Sequence, residues 1–265
     1  MTIGRCLKQC CSRLAAAFAL LALGVPALAD EPVIAAAADL KFALEEIAQA
    51  FSSDTSRSVK LVFGSSGTFA TQIRHGAPFQ MYLSADEDYV LKLHADGLVG
   101  DEGTLYGVGR IVLIVPSRSG AAVDGELKGL AVELQAGRIK RFAIANPEHA
   151  PYGRRAVEAL RHAGLWDAIQ AKLVLGENVS QAGQFAIGGS AEGGIIALSL
   201  ALAPQLASLG RYAVIPAEWH APLRQRMVLL KNAGASAQAF YRYLQEPRAR
   251  AVMRRYGFLL PGEAP

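Results

Sequence analysis

Residues 64–86 read GSSGTFATQIRHGAPFQMYLSAD. An apolar run at 59–63 stops at Gly64, a glycine-and-hydroxyl turn follows, amphipathic positions at 69–75 spell a helix, and a second apolar run fills 81–84. This is one strand–helix–strand unit. The turn also suits an anion: Gly64 and Gly67 let the backbone approach a ligand, Ser65 and Ser66 carry hydroxyls, and the first amides of a helix starting near Thr68 lack intrahelical partners. None of these groups is charged. The four residues GSSG are equally compatible with an ordinary serine-capped helix after a strand.

Outward from this unit the same rhythm continues. Residues 33–37 are strand-like and 40–51 helix-like, and the continuous apolar runs at 111–115, 142–145, 195–198 and 227–230 read as buried parallel strands. The expected class is α/β. A loop-like segment at 117–125 precedes a second βα series over 141–215, which predicts two lobes joined by two crossings. A long strand over 105–115 makes the first crossing and a return near 224–230 the second. Lobe I is then 30–110 plus 228–265 and lobe II 111–227, with C-terminal helices at 236–245 and 247–256 back on lobe I.

Ligands of doubly wound sheets collect where strands run into helices. Four such turns carry suitable chemistry: Ala37-Ala38-Asp39, residues 64–67, Ala150-Pro151-Tyr152-Gly153 and Glu177-Asn178-Val179-Ser180. Each lobe supplies two, so hinge closure of a cleft would bring them together.

The first 29 residues have the form of an export signal: Arg5, Lys8 and Arg13, an apolar run at 14–28, and Ala27-Leu28-Ala29 as a small-x-small cleavage pattern. The apolar run is too short for a membrane span. Cys6, Cys10 and Cys11 would leave with it, which excludes disulfides, thiolate metal sites and a cysteine nucleophile from the mature chain. Removing Arg5, Lys8 and Arg13 takes Lys plus Arg from 27 to 24 against 23 Asp plus Glu, a balance of about +1. That argues against a nucleic-acid surface, and Arg248, Arg250, Arg254 and Arg255 read as a solvated helix face. The five histidines show no metal-ligand spacing, and His149 is a candidate rim residue beside a binding turn. No G-x-S-x-G elbow or G-x-G-x-x-G fingerprint occurs at the expected turns, and a periplasmic hydrolase using Ser66 or Ser190 is the competing enzyme reading.

The four turns, with VIAAAADL at 33–40, the 64–86 block, ANPEHAPYG at 145–153, GENVSQ at 176–181, AEGG at 191–194 and RYGF at 255–258, resemble the periplasmic molybdate-binding proteins that feed ABC importers. The resemblance implies a two-lobed periplasmic-binding-protein fold of type II, each lobe a mixed sheet flanked by helices, with the ligand in the interlobe cleft. It implies a monomeric, non-enzymatic periplasmic receptor without a cofactor that holds a tetrahedral oxoanion, molybdate or tungstate, and delivers it to an inner-membrane molybdate permease of the ABC type. By position, Ala38, Asp39, Ser66, Tyr152 and Val179 would hold the oxoanion, Tyr152 and Val179 through backbone amides, with no protein ligand on molybdenum itself. Some relatives add a tyrosine hydroxyl near the position of Ala197, which this chain cannot supply.

Asp39 departs from the family pattern, in which that position carries a hydroxyl or amide. Two unit charges 4 Å apart at an effective dielectric near 20 repel by about 4 kcal/mol and a dianion doubles this, more than one charge-assisted hydrogen bond returns. An ionised Asp39 should therefore not point at the ion. Three roles stay open: a cap on the helix from Leu40 with its backbone N–H toward the ligand, a protonated donor, or an acceptor of a ligand proton, which would favour hydrogen phosphate or arsenate. Sulfate is a further alternative oxoanion.

Overall fold

The computed structural model describes residues 31–263, so the expected leader at 1–29 lies outside the described residues. Strand β1 (Val33–Ala37) leads through a 3-10 turn (Ala38–Leu40) into α1 (Lys41–Thr55); β2 (Lys60–Gly64) feeds α2 (Ser66–Arg74), and β3 (Met81–Ser84) feeds α3 (Glu87–Ala95). Strands β4 (Thr104–Gly109) and β5 (Ile111–Pro116) are separated by Arg110 alone, and there the chain changes sheet. The second series comprises α4 (Lys128–Gln135), β6 (Phe142–Ala145), α5 (Pro151–His162), α6 (Trp166–Ile169), β7 (Leu173–Gly176), α7 (Val179–Ile187), β8 (Gly194–Ala197), α8 (Leu198–Ala201), α9 (Pro204–Ala207) and β9 (Gly210–Val214). Strand β10 (Leu223–Leu229) returns to the first sheet, and α10 (Ala235–Tyr243) and α11 (Pro247–Arg255) follow it.

Both sheets have one plan. The strand orders are β2-β1-β3-β10-β4 and β7-β6-β8-β5-β9. In each, three parallel strands are followed by one antiparallel strand and an edge. The antiparallel strands are β10 and β5, and each enters its sheet directly after a crossing.

The structure corrects two expectations. The apolar runs at 111–115 and 227–230 read as parallel strands, yet β5 is antiparallel to β8 and β9, and β10 to β3 and β4. Continuous hydrophobicity reports burial on both faces, which a central antiparallel strand shares with a parallel one. The return to the first sheet is expected near 224–230 with the lobe boundary at 227/228, but Leu223 already pairs with Gly109 and the whole of β10 lies in the first sheet. The crossing falls between Val214 and Leu223, and the long strand expected over 105–115 is two strands in different sheets.

Alternation along the strands divides the first sheet's faces. Ile34, Ala36, Met81 and Leu83 pack with Leu44, Ile47 and Phe51 of α1 and with Phe240 and Met253 of the last two helices. Ala35 and Tyr82 face Phe69, Ile73, Val90 and Leu93 of α2 and α3. Phe51 meets Phe240 and Tyr243 edge-on, with centroids 5.1 and 5.4 Å apart. Each such side chain contributes roughly 1.5–3 kcal/mol by leaving water. Ala37, Ala38 and Ala85, at the ends of β1 and β3, instead join the apolar cluster built on the second sheet with Phe142, Ile144 and Ile195. With Leu223 of β10, these three methyl groups make up the first lobe's buried share of that cluster.

Arg248, Arg254 and Arg255 are on the surface as expected, paired with Asp54, Glu263 and Glu46 respectively. Trp219 stacks on His162 at 4.6 Å, and Trp166 lies under Arg161. Among the described residues no helix is long and apolar enough to cross a membrane.

Candidate functional site

The carboxyl ends of β1, β2 and β3 face those of β6 and β7, and between them lies a small cavity. Its wall is Ala37, Ala38 and Asp39 after β1, Gly64, Ser65 and Ser66 after β2, Ala85 after β3, Ala150, Pro151 and Tyr152 at the start of α5, and Asn178 and Val179 at the start of α7. The structure therefore brings Ala38, Asp39, Ser66, Tyr152 and Val179 together. No lysine or arginine lines the cavity.

Helix starts supply the donors. An N-terminal turn leaves its first amides without intrahelical acceptors. Some are used elsewhere: Gly67 N–H donates to the His149 carbonyl at 2.9 Å, Gly153 N–H to Ala150, and the N–H groups of Ser180 and Gln181 to the Asn178 side chain that caps α7. The amides of Ser66, Tyr152 and Val179 have no acceptor among the hydrogen bonds of the described residues. Pro151 at the first position of α5 has no N–H to leave bare, and Tyr152 follows it as the first donor of that helix.

Ser66 is 1 % exposed, and its Oγ accepts the Ala85 N–H at 3.0 Å. With that lone pair engaged, the hydroxyl hydrogen is free to donate into the cavity. Ser65 is the N-cap of α2 by position but makes no capping bond, so the serine-capped reading of GSSG does not hold. Its hydroxyl donates across the cleft to the His149 carbonyl, and His149 Nδ1 lies 2.9 Å from Ser65 Oγ. Gly67 permits this approach, since a Cβ there would lie 2.6 Å from the His149 carbonyl oxygen.

Asp39 does not cap the 3-10 turn or α1, which overturns that reading. Its carboxyl is 1 % exposed. Oδ2 accepts the Tyr152 hydroxyl at 2.9 Å and the Gln225 amide at 2.8 Å, while Oδ1 is buried with no partner. Burial pushes the carboxyl up to about 6, against the opposing pull of the Gln225 and Tyr152 hydrogen bonds and of its own backbone amide. Burial, then the Asp39 charge, holds the Tyr152 phenol well above the ordinary tyrosine range, so Tyr152 stays a donor. The Ser199 hydroxyl closes the back of this group by donating to the Asp39 carbonyl at 2.7 Å.

The sequence points to Tyr152 only as a backbone amide; its hydroxyl bridge to Asp39 escapes that reading, as does Gln225. Gln225 is fully buried on a strand whose flanking residues Arg224 and Arg226 turn outward to Glu87. A register shift between Gln225 and Arg226 marks a bulge, a device that re-aims side chains near sites. The available signal is a polar residue on the apolar face of a strand. Gly109 leaves the room: a Cβ there would collide with the Tyr152 hydroxyl and the Gln225 amide.

Outside the cavity the rim is charged. Arg154 reaches Asp86 at 3.2 Å and lies over the Tyr89 ring, and Arg155 joins Asp86 to Glu158. Neither serine of the hydrolase reading has a base: the Ser66 hydroxyl meets no histidine in its hydrogen bonds, and Ser190 is exposed. Ser65 does meet His149, with Glu177 3.7 Å beyond, but its proton is committed to a carbonyl. Among the described residues no cluster of His, Cys, Asp or Glu could hold a metal ion.

The family profile described as bacterial extracellular solute-binding protein matches residues 32–259. The chain is 36% identical over 244 residues to the molybdate-binding protein ModA of Rhodobacter capsulatus, covering 91% of this chain and 92% of that one. It is 36% identical over 250 residues to ModA of Azotobacter vinelandii, covering 93% and 97%. The solved periplasmic molybdate-binding protein of Azotobacter vinelandii superposes with a TM-score of 0.79 at 30% identity, covering 87% of this chain and all of that one.

Proposed function

This chain belongs to the bacterial extracellular solute-binding protein family, and from that premise we propose that it is a molybdate receptor, with tungstate as the near-equivalent ligand, serving an ABC importer. The observation that carries the reading is a small cavity walled by helix starts from both lobes and free of lysine and arginine. The relatives named above are molybdate-binding proteins, which favours molybdate over phosphate, arsenate or sulfate.

Binding is solvation by substitution. The amides of Ser66, Tyr152 and Val179, the first-turn backbone at Ala38 and Asp39, and the Ser66 hydroxyl replace the water shell of the tetrahedral dianion. They are held by helices that the fold has already ordered, so little further ordering is needed on binding. The ion's oxygens would meet protein and molybdenum would have no protein ligand. Sulfate, with shorter bonds to oxygen, would not reach every donor at hydrogen-bond distance. A site without lysine or arginine also releases its ion to the permease without breaking a strong ion pair.

The protein acts outside the cytoplasmic membrane as a binding protein of this family; cleavage after Ala29, residence in the periplasm as a monomer, and the absence of catalysis are parts of the same proposal. A thermal-shift panel of molybdate, tungstate, sulfate, phosphate and arsenate tests it. Ligand at 100 times its dissociation constant stabilises by about 2.7 kcal/mol. Molybdate and tungstate should raise the melting temperature most, and a larger rise with phosphate or sulfate overturns the assignment.

A further inference from the structure

We propose that Asp39 takes up one proton when the oxoanion binds and donates it from Oδ1 to a ligand oxygen, which makes capture proton-coupled and Asp39 a specificity-determining residue. The inference rests on the receptor reading above. Its ground is the asymmetry of one carboxyl group. Oδ2 is doubly occupied as an acceptor, by the Tyr152 hydroxyl and the Gln225 amide, so a proton placed there would compete with these donors for its lone pairs. Oδ1 is buried without a partner in a residue that lines the cavity. A proton on Oδ1 satisfies that oxygen and turns the one acceptor in the wall that repels an anion into a donor.

The surroundings offer the Asp39 charge no cation, although Gln225 Oε1 beside it is a second buried atom without a partner. The groups against Asp39 are the phenols of Tyr152 and Tyr106, the Gln225 amide and the Ser199 hydroxyl, all neutral. Both phenols are held above the ordinary tyrosine range, first by burial. With no cation lining the site, a dianion entering beside the carboxylate can only raise its proton affinity. The free carboxyl, already up at about 6, stands close to the pH at which that change completes. This is distinct from a receptor that reads a proton carried by the ligand, because molybdate arrives fully ionised and the protein supplies the hydrogen.

Calorimetry of molybdate binding to the exported form, in pairs of buffers with different ionisation enthalpies from pH 6 to 8.5, counts the protons. The expected result is an uptake rising to one proton above neutral pH, with affinity falling about tenfold per pH unit there. Asp39→Asn keeps an acceptor for Tyr152 and Gln225 and places an amide donor at the Oδ1 position. It should bind without proton uptake, independently of pH, and more tightly than the natural chain at pH 8. Wild-type binding with no proton uptake overturns the inference whatever the variant does. An Asp39→Asn protein that keeps the pH slope places the proton elsewhere, and a folded Asp39→Asn protein that loses binding places it on the ligand; both overturn it. If the natural chain binds no molybdate at any pH, the receptor reading itself has failed.

Discussion

The floor of the cleft and its rim use opposite electrostatics. The floor presents amides and a hydroxyl with no cation, whereas the rim is stitched by Arg154 and Arg155 to Asp86 and Glu158. A buried cation in the floor would itself have to leave water, and ion pairs in low dielectric carry desolvation penalties of several kcal/mol per charge. Fixed amides are already desolvated by the fold. At the rim the Arg154 side chain keeps 38% of its exposure, so its pairing is weaker and more readily screened, while Asp86 and Arg155 keep only 12% and 13%. On the proposed reading the floor decides what is bound, and the rim biases how the lobes meet. The comparison fails if affinity follows the rim charges more than the floor dipoles.

The largest effect is expected where floor and closure coincide, at Gly67. It occupies the second position of α2, where helix propensity alone favours alanine by roughly 1 kcal/mol and the Tyr89 hydroxyl, 2.7 Å from the new Cβ, must swing aside, so Gly67→Ala should change the unliganded melting temperature little if the lobes can part. With the lobes as they stand in the structure, the His149 carbonyl lies 2.6 Å from the new Cβ. Overpacking of this kind costs about 1–3 kcal/mol, a loss of up to roughly 100-fold in molybdate affinity by calorimetry. An unaltered affinity would show that ligand binding does not need this approach of the two lobes.

Ser66→Ala comes next and isolates one donor. The ligand loses the hydroxyl, and the Ala85 N–H loses its acceptor. Affinity should fall by about 1–3 kcal/mol, and stability by about 1 kcal/mol in denaturant titration. Loss of stability with full affinity would mean that Ser66 braces the turn after β3 and does not touch the ion.

These two positions also mark how far the sequence can be read. The 64–86 block shows its strand, turn and helix through local periodicity, and β3 at 81–84 and β6 at 142–145 coincide with their apolar runs because short buried strands leave a contiguous signature. Directions of strands leave none, which is why β5 and β10 look parallel in the sequence. The Asp39–Tyr152–Gln225 group is equally invisible there: its other members are 113 and 186 residues from Asp39, and each is unremarkable in its own segment. The turns can be located from local chemistry, but the side chain that a turn exchanges with another element is fixed only by tertiary packing. His149 shows the same limit. It is legible as a neighbour of a binding turn, and its carbonyl, the group that Ser65 and Gly67 use, has no sequence signature at all.

The smallest effect belongs to the rim, and it sharpens the comparison most. Arg154 pairs with Asp86 at 3.2 Å, contacts the Tyr89 hydroxyl at 3.2 Å and lies over that ring, all bridging from α5 to the first lobe. Replacing Asp86 would also remove the cap of α3, whose Asp88 N–H it accepts, so Arg154→Gln is the cleaner change. With its arginine partner exposed to solvent, this ion pair is worth about 1 kcal/mol or less, and salt near 1 M shortens the screening length to about 3 Å. Molybdate affinity in low salt should therefore drop less than about fivefold in the variant, and natural and variant proteins should converge as salt is raised. The floor donors are buried and little screened, so the Ser66→Ala deficit should persist unchanged across the same salt series. Equal salt sensitivity of the two deficits would mean that the rim and the floor act as one electrostatic unit, and that the ion is held partly by arginines outside the cavity.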